Sequence, residues 1–246
     1  MLKKRILLTL TLNDGVLFRT KKFNPDYRYT KNFVDLWHLD ELILLDITKK
    51  NKLNQNFLEN IKNFSKKFLV PITVGGGIKN LEDVEKVMEN GADKIIINTG
   101  LVQKPELINK ISEKYGSQVL VASIDCKQIN NEIKLMINNG KEDSSKDPID
   151  WASYCIKNGA GELLINSVNN DGSLLGYDIN LIKMFSSKFN VPILALGGAG
   201  NWQHIYDLFK LTNISGACTQ NIYHFTNQSL QSLKSFLISK KIDVRI

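Results

Sequence analysis

Short apolar runs and amphipathic segments alternate along the whole chain. The runs are rich in Ile, Leu and Val and are bounded by Gly, Pro, Asn or Asp, the pattern of strands buried on both faces. Arg5–Leu12, Glu41–Asp46, Ile72–Val74, Lys94–Ile97, Leu120–Asp125, Glu162–Asn166, Ile193–Leu196 and Gly216–Thr219 read this way, which makes eight. Helices are predicted over Thr30–Leu39, Asn54–Lys67, Leu81–Asn90, Pro105–Tyr115, Ile149–Asn158, Asn180–Phe189, Trp202–Leu211 and Gln228–Ser239. In the second of these, Phe57, Leu58, Ile61, Phe64 and Phe68 recur at helical spacing. Asn90-Gly91 and Asn158-Gly159 suit a left-handed helix end, and Pro71 and Pro192 each precede a strand.

Strand–helix alternation implies an α/β fold with a parallel sheet, and eight repeats imply closure into a single (β/α)₈ TIM barrel spanning residues 1–246. One excursion breaks the rhythm: Lys127–Gly140 alternates apolar residues around Asn130-Asn131 and predicts a hairpin after the fifth strand. The chain also resembles itself. Val74-Gly75-Gly76-Gly77-Ile78 returns in kind as Leu196-Gly197-Gly198-Ala199-Gly200, and Glu41-Leu42-Ile43 before Asp46 returns as Glu162-Leu163-Leu164 before Asn166. Two (β/α)₄ halves with pseudo-twofold symmetry are expected.

The composition is that of a soluble protein, with 43% hydrophobic and 23% charged residues in 246. No apolar run approaches the roughly 18 residues of a membrane span. The basic start at Lys3-Lys4-Arg5 is followed by an apolar stretch broken by Thr9 and Thr11, which argues against a signal peptide. Cys126, Cys155 and Cys218 match neither zinc spacing nor a disulfide framework and point to a reducing cytoplasm. The net charge of +7 comes from scattered lysines, so neither nucleic acid nor membrane is the expected partner; a phosphorylated small molecule would suit the field.

The two glycine loops each join a strand to a helix. They are either tight turns or cradles whose N–H groups face an anion, and two at symmetric positions favour a substrate with a phosphate at each end. Asp125, Asp46 and Asp171 fall on the rim where barrel chemistry sits, each as a general base or as a turn-capping group. Arg5, Glu41, Lys94 and Glu162 open four strands. Pointing inward, they would bury two positive and two negative charges where an apolar plug is at least as stable, so a gate on a passage is the functional reading. His38 and His204 fall in helices and His224 lies near the rim; none carries a metal-ligand spacing, and no cofactor or metal is expected.

The chain resembles the HisF family, the cyclase subunit of imidazole glycerol phosphate synthase. The resemblance rests on Lys4-Arg5-Ile6, Asn13-Asp14-Gly15, Asp40-Glu41-Leu42, Leu45-Asp46-Ile47-Thr48, Val74–Ile78 and Gly91–Lys94 with Ile97-Asn98-Thr99. It continues through Tyr115–Gln118, Ile124-Asp125, Gly159–Glu162, Asp171-Gly172, Gly176-Tyr177-Asp178, Gly197–Gly200 and His224-Phe225, in order along nearly the whole chain. It implies a barrel docked as a heterodimer on a HisH-type glutaminase. Ammonia would enter past a gate at Arg5, Glu41, Lys94 and Glu162 and meet a bisphosphate held at Gly76, Gly77, Asn98 and Thr99 and at Gly197, Gly198 and Gly200. Asp125 falls on one of the family's two catalytic aspartates.

The other aspartate is Thr11 here. A threonine hydroxyl does not exchange a proton near pH 7 as a tuned carboxylic acid does. Asp14 is no substitute, because the family carries it as well. Leu196, Asn221 and Asn166 replace hydroxyl residues that the resemblance places around the pocket. The chain is more similar to HisF paralogues associated with glycosyl amidation, which lack the first Asp and share the phrase around Phe23-Asn24-Pro25-Asp26-Tyr27. That branch implies an ammonia conduit serving a sugar amidotransferase in surface-sugar biosynthesis. The alternative is an authentic lyase and cyclase of histidine biosynthesis.

Overall fold

Alternate residues of each strand face opposite sides of a sheet, so eight parallel strands with both faces covered must sort their side chains into two populations. The computed structural model describes residues 3–28, 39–48, 53–220, 222 and 230–245. Its strands are β1 (Arg5–Asn13), β2 (Val16–Lys21), β3 (Asn24–Arg28), β4 (Glu41–Asp46), β5 (Ile72–Gly75), β6 (Lys94–Ile97), β7 (Leu120–Ile129), β8 (Glu132–Ile137), β9 (Glu142–Asp143), β10 (Glu162–Ser167), β11 (Ile193–Leu196) and β12 (Gly216–Thr219). Its helices are α1 (Gln55–Lys67), α2 (Leu81–Glu89), α3 (Thr99–Gln103), α4 (Leu107–Tyr115), α5 (Pro148–Lys157), α6 (Ile179–Ser186), α7 (Trp202–Leu211) and α8 (Leu230–Ser239).

The sheet runs β1-β4-β5-β6-β7-β10-β11-β12 and closes from β12 back onto β1, every pair parallel. These eight strands are the predicted ones, and they form the expected (β/α)₈ barrel. Ile6, Leu8, Leu10 and Leu12 of β1 face outward into the large core shared with the helices. Leu7 faces inward into a separate cluster with Ile43, Ile96, Val121, Leu164, Leu194 and Cys218. That second cluster is the plug of the barrel lumen. A buried ion pair ties the last helix to the first strand: Lys234 Nζ lies 2.7 Å from Asp40 Oδ1, while Asp40 Oδ2 accepts the Ile6 N–H at 2.7 Å.

The sequence pattern misses β2, β3, α3 and the two-residue β9. β1 turns back at Asp14-Gly15 (φ 48° and 77°) into β2, and β2 turns at Lys22-Phe23 (φ 51° and 61°) into β3. The second turn has neither Gly nor Asn at its centre, so the usual hairpin signal is absent. The short helix α3 sits ahead of the predicted Pro105–Tyr115 helix, which begins at Leu107. The hairpin after β7 is present, turning at Asn130-Asn131 with φ of 49° and 64°. The predicted helix Thr30–Leu39 lies outside the described residues except for Leu39, which is not helical, as do the first two residues of Gln228–Ser239.

The pseudo-twofold is visible in detail. Asn80 and Asn201 stand at the N-caps of α2 and α7, both in extended conformation, and accept from the N–H groups of Asp83 and His204. The side chains of Asp83 and His204 reach back in turn, accepting the N–H of Lys79 at 2.9 Å and of Gly200 at 3.1 Å. His204 is therefore a capping residue. Gly76 and Gly197 answer one another at this spacing too: a Cβ on Gly76 would lie 2.2 Å from the Asp46 carbonyl, and one on Gly197 2.7 Å from that of Ser167. The counterpart of Asp46 is thus Ser167, one position beyond the Asn166 that the repeat in sequence suggests.

Equal caps should have equal cost. Asn201→Ala and Asn80→Ala are each expected to destabilise by about 1 kcal/mol, a fall of roughly 2–4 °C in Tm for a chain of this size. Thermal melts of the two variants check it.

Candidate functional site

The site is built in layers along the barrel axis, and the lowest layer is ionic. Arg5, Glu41, Lys94 and Glu162 open β1, β4, β6 and β10 and all point into the lumen. Arg5 Nη1 lies 2.5 Å from Glu41 Oε1, and Arg5 Nη2 pairs with Glu162 Oε1. Lys94 Nζ lies 3.1 Å from Glu162 Oε2 and 3.6 Å from Glu41 Oε2, which closes an alternating ring of four. Arg5, Glu41 and Glu162 are buried, and the Lys94 side chain keeps 23% of its surface exposed. Burial opposes the Arg5 charge, but Glu162 and Glu41 outweigh it and hold the guanidinium above its ordinary range. The four candidate gate residues are therefore brought together as one closed network.

Above the ring sits the apolar plug, and above the plug the mouth. Asp125, on β7, is buried and accepts three hydrogen bonds: from Asn98 Nδ2 at 2.6 Å, Ser123 Oγ at 2.9 Å and Asn166 Nδ2 at 3.2 Å. Desolvation raises its carboxyl above the ordinary Asp range, and the three donors only partly offset that. Asn98 also donates to the Met136 carbonyl at 2.8 Å, and Met136 is the residue paired with Asp125 across the β7–β8 hairpin.

The other half repeats this arrangement with one change. Thr11, on β1, pairs with Phe18 across the β1–β2 hairpin. Gln220 Nε2 donates to Thr11 Oγ1 at 3.1 Å and to the Phe18 carbonyl at 2.8 Å. Gln220 thus does for Thr11 and Phe18 what Asn98 does for Asp125 and Met136. Thr11 stands at the geometric equivalent of Asp125, with a hydroxyl in place of the acid, and that hydroxyl donates to the Phe18 carbonyl. The equivalent of Ser123 is Thr9, whose buried Oγ1 has no carboxylate to donate to. Gln220 is a rim residue that reading the sequence did not single out. Its signal is a polar residue one position past β12, in register with Asn98 past β6.

The remaining candidates have structural partners. Asp46 binds Thr48 Oγ1 at 2.5 Å, the Thr48 N–H at 3.0 Å and Asn54 Nδ2 at 2.9 Å, and so fixes the turn after β4. Asp14 is exposed in the β1–β2 turn. Asp171 holds the tip of the β2–β3 hairpin, accepting from the Phe23 N–H at 2.9 Å and from Thr20 Oγ1 at 3.1 Å. Burial raises the carboxyls of both Asp46 and Asp171. The hairpin tip places Phe23 on the lining of the mouth.

Gly76, Gly77, Asn98 and Thr99 line the mouth cavity together with Asp125, Asn166 and Leu196. Gly197, Gly198 and Gly200 do not line it. Gly197 and Gly198 are buried under the β10–α6 loop, where Gly198 O accepts the Gly176 N–H at 2.8 Å; a Cβ on Gly198 (φ +104°) would lie 2.0 Å from the Gly176 carbonyl. Of the two predicted phosphate cradles, one opens to the cavity and one is covered. Asn221, His224 and His38 lie outside the described residues. Among the described residues no group of three or more His, Cys, Asp or Glu is arranged to hold a metal ion, and no helix is long and apolar enough to cross a membrane.

A family model described as "Histidine biosynthesis protein" matches residues 9–229. The chain is 35% identical over 252 residues to "Imidazole glycerol phosphate synthase subunit HisF" of Natranaerobius thermophilus, and 35% identical over 252 residues to the protein of that name from a Hydrogenobaculum species. It is 36% identical over 251 residues to the one from Sulfurisphaera tokodaii. In each case the match covers 100% of both chains.

Removing one carboxylate from the ring leaves two cations facing one anion. Breaking a buried pair costs on the order of 3–5 kcal/mol, and the partial exposure of Lys94 puts Glu162→Ala at the lower end, about 3 kcal/mol. The expected fall in Tm is roughly 6–12 °C. A scanning-calorimetry comparison with wild type checks it, and an unchanged Tm would show the ring to be solvated.

Proposed function

Because the chain belongs to the HisF family of histidine-biosynthesis proteins, we propose that it is the barrel half of a two-component glutamine amidotransferase. In this reading it receives ammonia at the bottom of the barrel from a HisH-type glutaminase and delivers it at the mouth for glycosyl amidation in surface-sugar biosynthesis. The observation that carries the proposal is Thr11, a hydroxyl at the geometric equivalent of Asp125.

The chemistry follows the layers. Ammonia passes the ring when the pairs of Lys94, the most exposed of the four side chains, loosen. Leu7, Ile43, Ile96, Leu164 and Leu194 then impose a desolvation cost that falls on ammonium far more than on neutral ammonia, so the plug selects the nucleophilic form. At the mouth Gly76, Gly77, Asn98 and Thr99 hold a phosphorylated small molecule against Asp125. A carboxyl raised by burial keeps its proton to higher pH than a free Asp does, so Asp125 suits a general acid as well as a base. Closing an imidazole ring and cleaving the substrate requires a second proton carrier, and position 11 supplies none. Ammonia delivery needs only the passage.

The alternative is an authentic imidazole glycerol phosphate synthase cyclase. It is favoured by the name and full-length match of the relatives. The two readings part on catalysis. An assay of purified chain with the bisphosphate substrate and an ammonium salt bypasses the glutaminase. Loss of one positioned acid or base costs about 10²–10⁴-fold, and a deficit of that order against an ordinary HisF is expected. Thr11→Asp should be accommodated, because Gln220 and Thr9 stand ready to donate to the new carboxylate. It should restore little activity alone, since Leu196 and Asn221 also depart from the hydroxyl residues of the family, and more when Leu196→Ser and Asn221→Ser are added. A wild-type rate equal to that of an ordinary HisF would favour the histidine-pathway cyclase. Co-purification with the cognate glutaminase, and stimulation of its turnover, tests the conduit; a barrel that neither binds nor stimulates it would refute the proposal.

A further inference from the structure

The apolar plug does not separate the ionic ring from the mouth evenly. Ile96 and Leu164 belong to the plug and also line the mouth cavity; Leu7, Ile43, Val121, Leu194 and Cys218 belong to the plug and do not. Among the described residues none from β1 or β12 lines the cavity at all. The mouth therefore meets the plug on β6 and β10, the two strands that flank β7 in the sheet.

Alternate residues of a strand face the same side, so three columns climb this wall of the lumen. Lys94, Ile96 and Asn98 succeed one another along β6 and just past its end, Glu162, Leu164 and Asn166 along β10, and Val121, Ser123 and Asp125 between them on β7. At the foot the Lys94–Glu162 pair spans 3.1 Å, and its lysine is the most exposed member of the ring. At the head Asn98, Ser123 and Asn166 all donate to Asp125. Between foot and head each outer column holds a single apolar side chain, Ile96 at 4% exposure and Leu164 at 1%. Val121 stands between them, paired with Ile96 on one side and with Glu162 on the other, below the floor of the cavity.

We propose that ammonia crosses the barrel off its axis, along the wall of β6, β7 and β10, and that Ile96 and Leu164 form an inner gate between the Lys94–Glu162 pair and the mouth. This rests on the conduit reading and narrows it to a route. Side chains of a packed core still change rotamer, and a neutral molecule as small as ammonia needs little more room than one such change opens. The route ends beside Asp125, in the half of the mouth that keeps its acid, and away from Thr11.

Methyl NMR of the wild-type chain under dissolved oxygen tests the route, because a small apolar gas enters dry apolar space in a protein and oxygen, being paramagnetic, speeds the relaxation of the methyl groups it meets. The enhancement at Val121, Ile96 and Leu164 is expected to be several-fold greater than at Leu7, Ile43 and Leu194. Ile96→Ala and Leu164→Ala should each raise it further at Val121 and leave Leu7 unchanged. Ile96→Val should give a smaller rise in the same direction if the alanine variants fail to fold. An enhancement at Val121 no greater than at Leu7 and Leu194 would overturn the off-axis route, and a Val121 signal indifferent to all three variants would overturn the gate. The measurement uses the chain without its partner, so either failure stands apart from failure of the conduit reading, which binding and stimulation of the glutaminase decide.

Discussion

Closure of eight parallel strands forces every second side chain into a narrow lumen, and the rest of the structure depends on how that lumen is filled. At the bottom the filling is ionic, in the middle apolar and at the top a hydrogen-bonded amide and carboxylate cluster. The ionic layer is the least expected of the three, because buried pairs seldom outperform an apolar plug. Its members come from β1, β4, β6 and β10, so the pairs reach across the lumen as well as between neighbouring strands. Each carboxylate meets two cations, which offsets the cost of burying the ring, although Glu41 Oε2 reaches Lys94 only at 3.6 Å and makes no hydrogen bond.

The two halves of the barrel share one pattern and fill it differently. Asn98 serves Asp125 as Gln220 serves Thr11, each amide bridging a rim residue and the carbonyl opposite it in a hairpin. The scaffold of the acid position survives in both halves, but the acid survives in one. The glycine loops divide in the same sense: one borders the cavity, and the other is folded beneath the β10–α6 loop. The hydroxyl at position 11 and the covered second glycine loop both make the mouth asymmetric. What faces the mouth is Asp125 with its three donors and one open glycine loop.

The β2–β3 hairpin links these features. Asp171, on the loop that covers the second glycines, also anchors the hairpin tip through the Phe23 N–H and Thr20 Oγ1. Phe23 holds a left-handed conformation (φ 61°) that a bulky residue rarely adopts, and there it lines the cavity. The shape of the mouth is therefore set jointly by segments far apart in the chain.

The eight barrel strands, their order, the hairpin after β7 and the inward set Arg5, Glu41, Lys94 and Glu162 were legible in the sequence. Period-two burial, helical spacing and turn residues are local signals, and they sufficed wherever one element was bounded by its own chemistry. β2 and β3 were not legible, because Lys22-Phe23 carries none of the residues that normally mark a turn and is held by Asp171 from another loop. The absence of an acid at position 11 could be read from the resemblance alone. That Thr11 sits at the mirror position of Asp125, that Gln220 holds it, and that Asn166 buries an unmet oxygen were decided by tertiary structure. Each depends on which side chains the closed barrel brings within hydrogen-bond distance, and no local spacing along the chain encodes that distance.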